Sequence, residues 1–547
     1  MKKLLVFVLL FLLMMNIIIA QNRNCEPVVL VGNQVPCLIG KTPSEVVAFK
    51  FDNQQNWLQI PIQIDERVLK DINTPYDPAE LASVSNCLNN STEPIAWNIS
   101  FYADSQTFVG ADTNPNYDAD DELVFMVSDI GVKSLATTYP TGTLTNFVCE
   151  VRVTDPLDGD MVLGYIYLFL QNGSLQQDAG IDYVDYDFAF GNIPNDPNSI
   201  NFDANDYKTI YKECLLDVQG ANPENSTITT ANYQMGYSQR WTEDVMRITA
   251  GDATGTDILD HHQLFINAGT CTSTEDRFSN SAGAHITIKD GPIRAIRSTM
   301  GAVSGVFMQL DALYTACEID YNMYFRLHPA NGFNDVLDMN PAANGMKYFT
   351  DQNLGGETIG GNGGSINTTN SDTWALYSGN QGSLVVVWDY LTDMSLGTSQ
   401  QYSNGNGTVQ GSVRAYYDDS GTNAIHDCTG DGLAYGSSGF TLRTKQCMDR
   451  RYDWERYVEC RPENVKFFYI NRIHYFLSPN ATTSMAGQVN NLIRNRAEVT
   501  ITEGEGVTAA LSCEAYLFLS NQILSSNYEA SDSIVTGDNV SIANEAM

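Results

Sequence analysis

Two stretches of this sequence gather side chains able to bind or move charge. The first is DTNPNYDADDE, in which Asp112, Asn114, Asn116, Asp118 and Asp120 place an oxygen-bearing side chain at every second position, closed by Glu122. Calcium takes about six to eight hard oxygen ligands, and a tight loop with this alternation supplies several at once. The loop departs from an EF-hand, because Tyr117 stands where the loop glycine belongs and Leu123 where the bidentate glutamate belongs. The ELVFMV that follows reads as a strand. We therefore expect calcium as a cofactor, held by Asp112, Asn114, Asn116, Asp118, Asp120 and Glu122 in a strand-capping loop. The plain alternative is a solvated acidic turn. A weaker run, YDDSGTNAIHDCTGDG, offers Asp418, Asp419, Asn423, Asp427 and Asp431, and reads as readily as a long turn.

The second stretch is EIDYNMYFRLHP. Side chains alternate across a strand, so Asp320, Asn322, Tyr324, Arg326 and His328 share one face and Ile319, Tyr321, Met323, Phe325 and Leu327 the other. The second set enters a core. The first is either an ordinary solvent face or a row that grips sugar hydroxyls or a uronate carboxylate. Nearby, Arg294 and Arg297 follow a Gly291-Pro292 break, where they either bind an anion or pair with the abundant acids. Asp260-His261-His262 looks like a metal site, but neighbouring strand residues point to opposite faces, so both histidines do not readily serve one ion. No phosphate-binding Gly-Lys loop or nucleotide fingerprint stands out, and a serine elbow at Gly436 to Gly439 fits only a relaxed pattern.

The elements that must position these residues are mostly strands. Short alternating or apolar runs, such as Trp57 to Ile64, Glu122 to Val127, Met161 to Leu170, Ala284 to Ile288, Tyr321 to Leu327, Leu384 to Trp388 and Val465 to Ile470, are separated by Gly, Asn and Asp clusters. Helical periodicity is confined to Thr483 to Arg496, where Met485, Val489, Leu492 and Ile493 share a face. The fold class expected is all-β, an N-terminal β-sandwich over 21–155 and a large β-supersandwich over 156–520, with few short helices and a polar tail over 521–547. The Gly-, Asn- and Ser-rich stretch from Gly355 to Thr373 reads as a long loop.

Compartment follows from the first residues. Lys2 and Lys3 precede the apolar run Leu4 to Ile19, and Ala20 precedes a polar Gln21, the pattern of a cleaved secretory signal over 1–20. No later run reaches membrane-spanning length. The formal charge is -35, from 30 basic and 65 acidic residues. Such a surface repels phosphate backbones, which argues against a nucleic-acid partner, and suits a protein that holds divalent cations. All 11 cysteines lie beyond the signal, so disulfides are expected, with one thiol left over or paired between chains in a homo-oligomer. Neighbouring candidates are Cys25 with Cys37, Cys271 with Cys317, and two among Cys428, Cys447 and Cys460.

WLQIPIQIDERV (57–68) followed by DADDELVFM (118–126) resembles a pairing in secreted bacterial β-sandwich proteins, a P-x-Q-x-D strand ahead of an Asp-rich loop and DELVF. DGPIRAIR (290–297) resembles the GPVRA strand of mutarotase-like β-supersandwich proteins, a group that includes rhamnogalacturonan-type exo-lyases. The resemblance implies a fold type and a polysaccharide or glycan partner, without any catalytic residue. The expected function is binding or processing of extracellular polysaccharide. An elimination at a uronate would use Arg326 or Arg294 to neutralise the carboxylate and Tyr324 or His328 to move the proton. Glycoside hydrolysis is a variant that needs two carboxylates. The alternative from another class is a non-catalytic structural or adhesive surface protein stabilised by calcium.

Overall fold

The computed structural model describes residues 23–71, 98–105, 109–136, 138–145, 147–189, 223–239, 243–266, 283–303, 306–326, 333–360, 373–392, 412–421, 433–443, 468–503, 507–511 and 535–536. The 1–20 segment, His328, most of the 521–547 stretch and Cys271, Cys428, Cys447 and Cys460 lie outside the described residues.

The chain is all-β, as its period-2 runs require. Its largest unit is a pair of antiparallel sheets. One has eight strands, among them Tyr233–Gln239, Glu243–Ile248, Leu259–Ile266 and Phe333–Met339. The other has ten, built on Ala295–Val303, Val306–Tyr314, Glu318–Arg326, Phe468–Leu477 and Gly382–Thr392. Ile228, Tyr233, Met235, Met246, Ile319, Tyr321, Met323, Val386 and Ile470 meet in one core between the two sheets. Fully burying each such aliphatic side chain stabilises the fold by about 1.5–3 kcal/mol.

A smaller sandwich sits against the outer face of the ten-stranded sheet. Its three-stranded sheet joins Pro27–Val31, Glu122–Met126 and Gln63–Asp65, and packs on a six-stranded sheet through Val28, Leu30, Leu123, Phe125, Val151 and Leu168. Val124 and Met126 of the same central strand point the other way, into a core with Ile293, Leu376, Val385 and Ile473. All five residues of Glu122–Met126 are buried, which explains its unbroken apolar run. The helix Thr483–Arg494 closes that layer with Ala486, Val489 and Ile493, whereas Met485, expected on its apolar face, is 37% exposed.

The expected division near residue 155 falls at a turn between paired strands. Cys149–Asp155 pairs with Met161–Leu170 on one side and with the late strand Glu498–Glu503 on the other. Two disulfides add covalent ties, Cys25 to Cys317 and Cys37 to Cys149, whose partners are 292 and 112 positions apart in sequence. These replace the expected pairings of Cys25 with Cys37 and Cys271 with Cys317. Partners far apart in sequence are invisible to spacing, yet they close the longest loops.

Candidate functional site

The strand Glu318–Arg326 divides its side chains as alternation dictates. Ile319, Tyr321 and Met323 enter the core between the sheets, and Asp320, Asn322 and Tyr324 line the outer face. The outer row is not displayed to solvent as a bare polar face would be. Asn322 is 3% exposed and Tyr324 6%. Arg326 continues the backbone of the strand, opposite Phe307, with its side chain outside the described residues.

What covers this face is the hairpin of Arg67–Asp71 and Asn98–Tyr102. The Thr287 hydroxyl donates to the Tyr102 carbonyl at 2.6 Å, and the Gln309 amide donates to the Ser100 carbonyl at 3.4 Å. The Arg67 guanidinium lies 4.0 Å over the Tyr102 ring and donates from Nε to Ser100 Oγ at 3.0 Å. Its one described ion pair is to Glu122, at 3.7 Å. A guanidinium carries five N–H donors, so this is sparse use.

Tyr324 lies in the same neighbourhood, against Tyr469 with ring centres 5.0 Å apart and the planes tilted by 34°. Its hydroxyl is buried with no hydrogen-bond partner among the described residues. Burial, then the charge of Asp311, push the phenol well above its usual range, while Arg67 pulls it down. Along the row, Asn471 donates to Asn322 at 3.1 Å and Tyr469 donates to the same oxygen. Burial and the nearby Glu318 raise Asp320 to about 6.

Arg294 occupies the joint between the small sandwich and the large sheet. It is 1% exposed and donates to Asp65 at 2.8 Å from Nε and to Glu122 from Nη2. Lys289 also reaches Asp65, and these two cations hold that carboxyl at about 2 despite its burial. Gln63 accepts from the amides of Ile293 and Arg294 at 3.2 and 3.0 Å. A Cβ on Gly291 would stand 2.4 Å from the Gln63 amide oxygen, so this approach requires glycine. The PIQID and GPIR phrases thus clasp each other. Of the two expected roles for Arg294, the structure places it in acid pairing.

The loop of Asp112 to Asp120 is anchored by the segment before it. Gly32 donates to the Asp121 carbonyl at 2.7 Å and Asn33 to the Ala119 carbonyl at 2.9 Å. A Cβ on Gly32 would fall 1.6 Å from the Asp118 carbonyl oxygen. Asn114 donates to Asp118 at 2.9 Å, and Asp121 accepts from the amides of Arg67 and Asp118, both at 2.8 Å. Burial and Asp118 hold Asp120 up at about 7, and burial chiefly holds Asp121 at about 6. Glu122 is turned away from this group, accepting from Arg294 and from the Tyr102 hydroxyl at 3.0 Å. Beyond burial, Asp118 and Asp121 raise Asp120, and Glu66 is raised by burial and by Asp112.

A second polar group lies inside the large sandwich. His262 places Nδ1 2.9 Å from Glu243 and Nε2 2.7 Å from Asp335. Arg472 pairs with Asp335 at 2.8 Å, and Tyr321 donates to both oxygens of Glu243 at 2.8 and 2.9 Å. Burial opposes a charge on His262, but Asp335 and Glu243 outweigh it and raise its pKa. His474, fully buried with neither ring nitrogen hydrogen-bonded among the described residues, is held well below its usual value by burial and Arg472. His261, on the other face of the strand, shares none of this, as alternation requires.

Sequence reasoning missed Arg67, Asp65, Glu243 and Asp335. Arg67 and Asp65 lie in the quoted IDERV, where only the strand pattern drew notice. No model of a known protein family matches the chain, and no curated protein matches it. Among solved structures it is similar to the heparan sulfate lyase HepC from Pedobacter heparinus, with TM-score 0.26 and 7% identity over 53% of this chain and 39% of that one. It is also similar to Heparinase III, with TM-score 0.21 and 11% identity over 52% of this chain and 41% of that one. The chain therefore spans less than half the length of either.

Proposed function

We propose that this is a secreted, glycan-directed protein that recognises a uronate-bearing polysaccharide at the outer face of the ten-stranded sheet, with Tyr324 and Arg67 at the centre. The observation that carries the reading is the pair itself. A buried phenol without a hydrogen-bond partner costs about 1–3 kcal/mol, and such a group needs a reason to persist. Beside it stands an arginine whose fork matches a carboxylate in shape. A sugar acid would satisfy both, its carboxylate on Arg67 and a ring or glycosidic oxygen on Tyr324. Asn322, Asn471 and Asp320 extend the row with groups that bind sugar hydroxyls.

In a catalytic version His328, the other base expected from sequence, takes the proton beside the carboxylate while Arg67 neutralises that carboxylate and the C–O bond to the leaving oxygen breaks. Tyr324, protonated in this setting, serves as hydrogen-bond donor or acid toward the leaving oxygen, rather than as the base expected from sequence. Arg326 is the group proposed to contact the rest of the sugar. Both Arg67 and Tyr324 are covered, so entry requires the 67–71/98–102 hairpin to move off the sheet. Calcium is proposed for the anchored loop, with Asp112, Asn114, Asn116, Asp118 and Asp120 as ligands and Asp121 in place of Glu122. Two disulfides and the absence of a membrane-length apolar helix among the described residues are compatible with an extracellular protein.

The test is binding and cleavage of uronate polysaccharides by the mature chain, read by calorimetry and by absorbance of unsaturated uronides. Tyr324→Phe should lower cleavage by about 10²-fold or more. Cleavage unchanged in both Tyr324→Phe and Arg67→Ala would overturn the assignment. The structural or adhesive reading draws on one observation, that Arg294, Lys289, Asp65 and Glu122 spend their charges on each other. It predicts calcium-dependent assembly of copies with no glycan affinity.

A further inference from the structure

We infer that the outer face of the eight-stranded sheet carries a site for a first-row divalent metal, zinc by preference, built from Asp260, His261 and Asp338. One ligand atom from each lies within 4.8 Å of those of the other two. The backbone explains the convergence. Leu259–Ile266 pairs with Phe333–Met339, and the register shifts between Leu259 and His261, so Asp260 is the extra residue of a bulge. A bulge turns consecutive side chains toward one place, which regular alternation forbids. His261 stands opposite Asp338 in the register.

His261 Nδ1 lies 2.9 Å from Asp260 Oδ2. Asp338 Oδ1 accepts from the Tyr435 amide at 3.2 Å, a bond of the kind that orients a ligating carboxylate. His261 and Asp338 are 1% and 0% exposed, and Asp260 is half-buried at the mouth. One imidazole and two carboxylates offer too few oxygens for calcium and no thiolate, a donor set that suits zinc or its neighbours. Tetrahedral bonds of about 2.0–2.1 Å separate ligand atoms by about 3.3 Å, so closure requires shifts of up to about 1.5 Å. Three protein ligands leave a position for water or a ligand oxygen.

The experiment uses the mature chain purified without a histidine tag and dialysed against chelator. Zinc alone is added, with calcium in parallel, and bound metal and the unfolding midpoint are measured. The expected result is one zinc per chain and a zinc-induced rise in the midpoint that saturating calcium, acting at the Asp112–Asp121 loop, neither supplies nor prevents. His261→Gln and Asp338→Asn should each lose both. If neither variant folds, X-ray absorption on the wild-type zinc complex should show one imidazole and two carboxylates. Absence of zinc binding, zinc retained in both folded variants, or a zinc shell without imidazole would overturn the site.

Discussion

Tyr321 and Tyr324 stand three residues apart on one strand and meet opposite circumstances. Tyr321 points between the two large sheets and gives its proton to Glu243 in a group that also holds His262, Asp335 and Arg472. Tyr324 points out under a hairpin, beside an arginine with donors to spare, and its hydroxyl has no described partner. Both are buried. Burial alone therefore does not tell a structural polar group from a functional one. The two hydroxyls differ in hydrogen bonding, since Tyr321 has an acid to donate to and Tyr324 has no described partner.

The largest effect should come from cutting the buried ion pairs around Asp335. Asp335→Ala leaves Arg472 and His262 buried without their carboxylate and should cost about 3–5 kcal/mol, read by urea unfolding. A loss under about 1 kcal/mol would mean that water or another acid replaces Asp335. Next comes the tyrosine pair. Tyr321→Phe removes one donor from Glu243, which keeps Tyr237 and His262, and should destabilise by about 1–3 kcal/mol, whereas Tyr324→Phe removes an unsatisfied group and should be neutral or mildly stabilising. Equal losses at the two positions would erase the contrast between the faces.

Stability should also depend on pH in opposite ways. His262 has its folded pKa raised, so its contribution is present below about 6.5 and fades as pH rises through the folded value. His474 has its folded pKa depressed, so its contribution is present above about 6.5 and is lost on acidification. His474→Gln should flatten the acid limb of a plot of midpoint against pH and leave the alkaline limb in place.

The smallest effect concerns the acidic loop. Asp120 and Asp121 bind protons in the folded chain up to about 7 and 6, above the usual value of 3.8, so folding takes up protons between these limits and stability falls as pH rises through them. A cation replaces those protons. Calcium should therefore raise the midpoint more at pH 7.5 than at pH 5, where protons compete. An equal shift at both values would place calcium elsewhere.

Much of the fold was legible because period 2 is a local property. The strand Met161–Leu170 follows from its apolar run, and the inner and outer rows around Tyr321 and Tyr324 follow from alternation. Helix Thr483–Arg494 follows from its 3.6-residue period, with Met485 misplaced because it sits at the rim of the buried stripe. What stayed hidden depends on long-range register. Nothing local pairs Cys25 with Cys317, Asp65 with Arg294, or His261 with Asp338. Nor did the sequence reveal that a hairpin from the first hundred residues would roof the polar row and supply Arg67.

The most direct measurement is calorimetric titration of the mature chain with uronate polysaccharides, run in parallel on Tyr324→Phe and Tyr321→Phe. The predicted result is binding by the wild type, weakened about tenfold or more by Tyr324→Phe at an unchanged unfolding midpoint, and kept by Tyr321→Phe wherever that variant remains folded. Binding to no uronate glycan, or equal binding by Tyr324→Phe, would contradict the account.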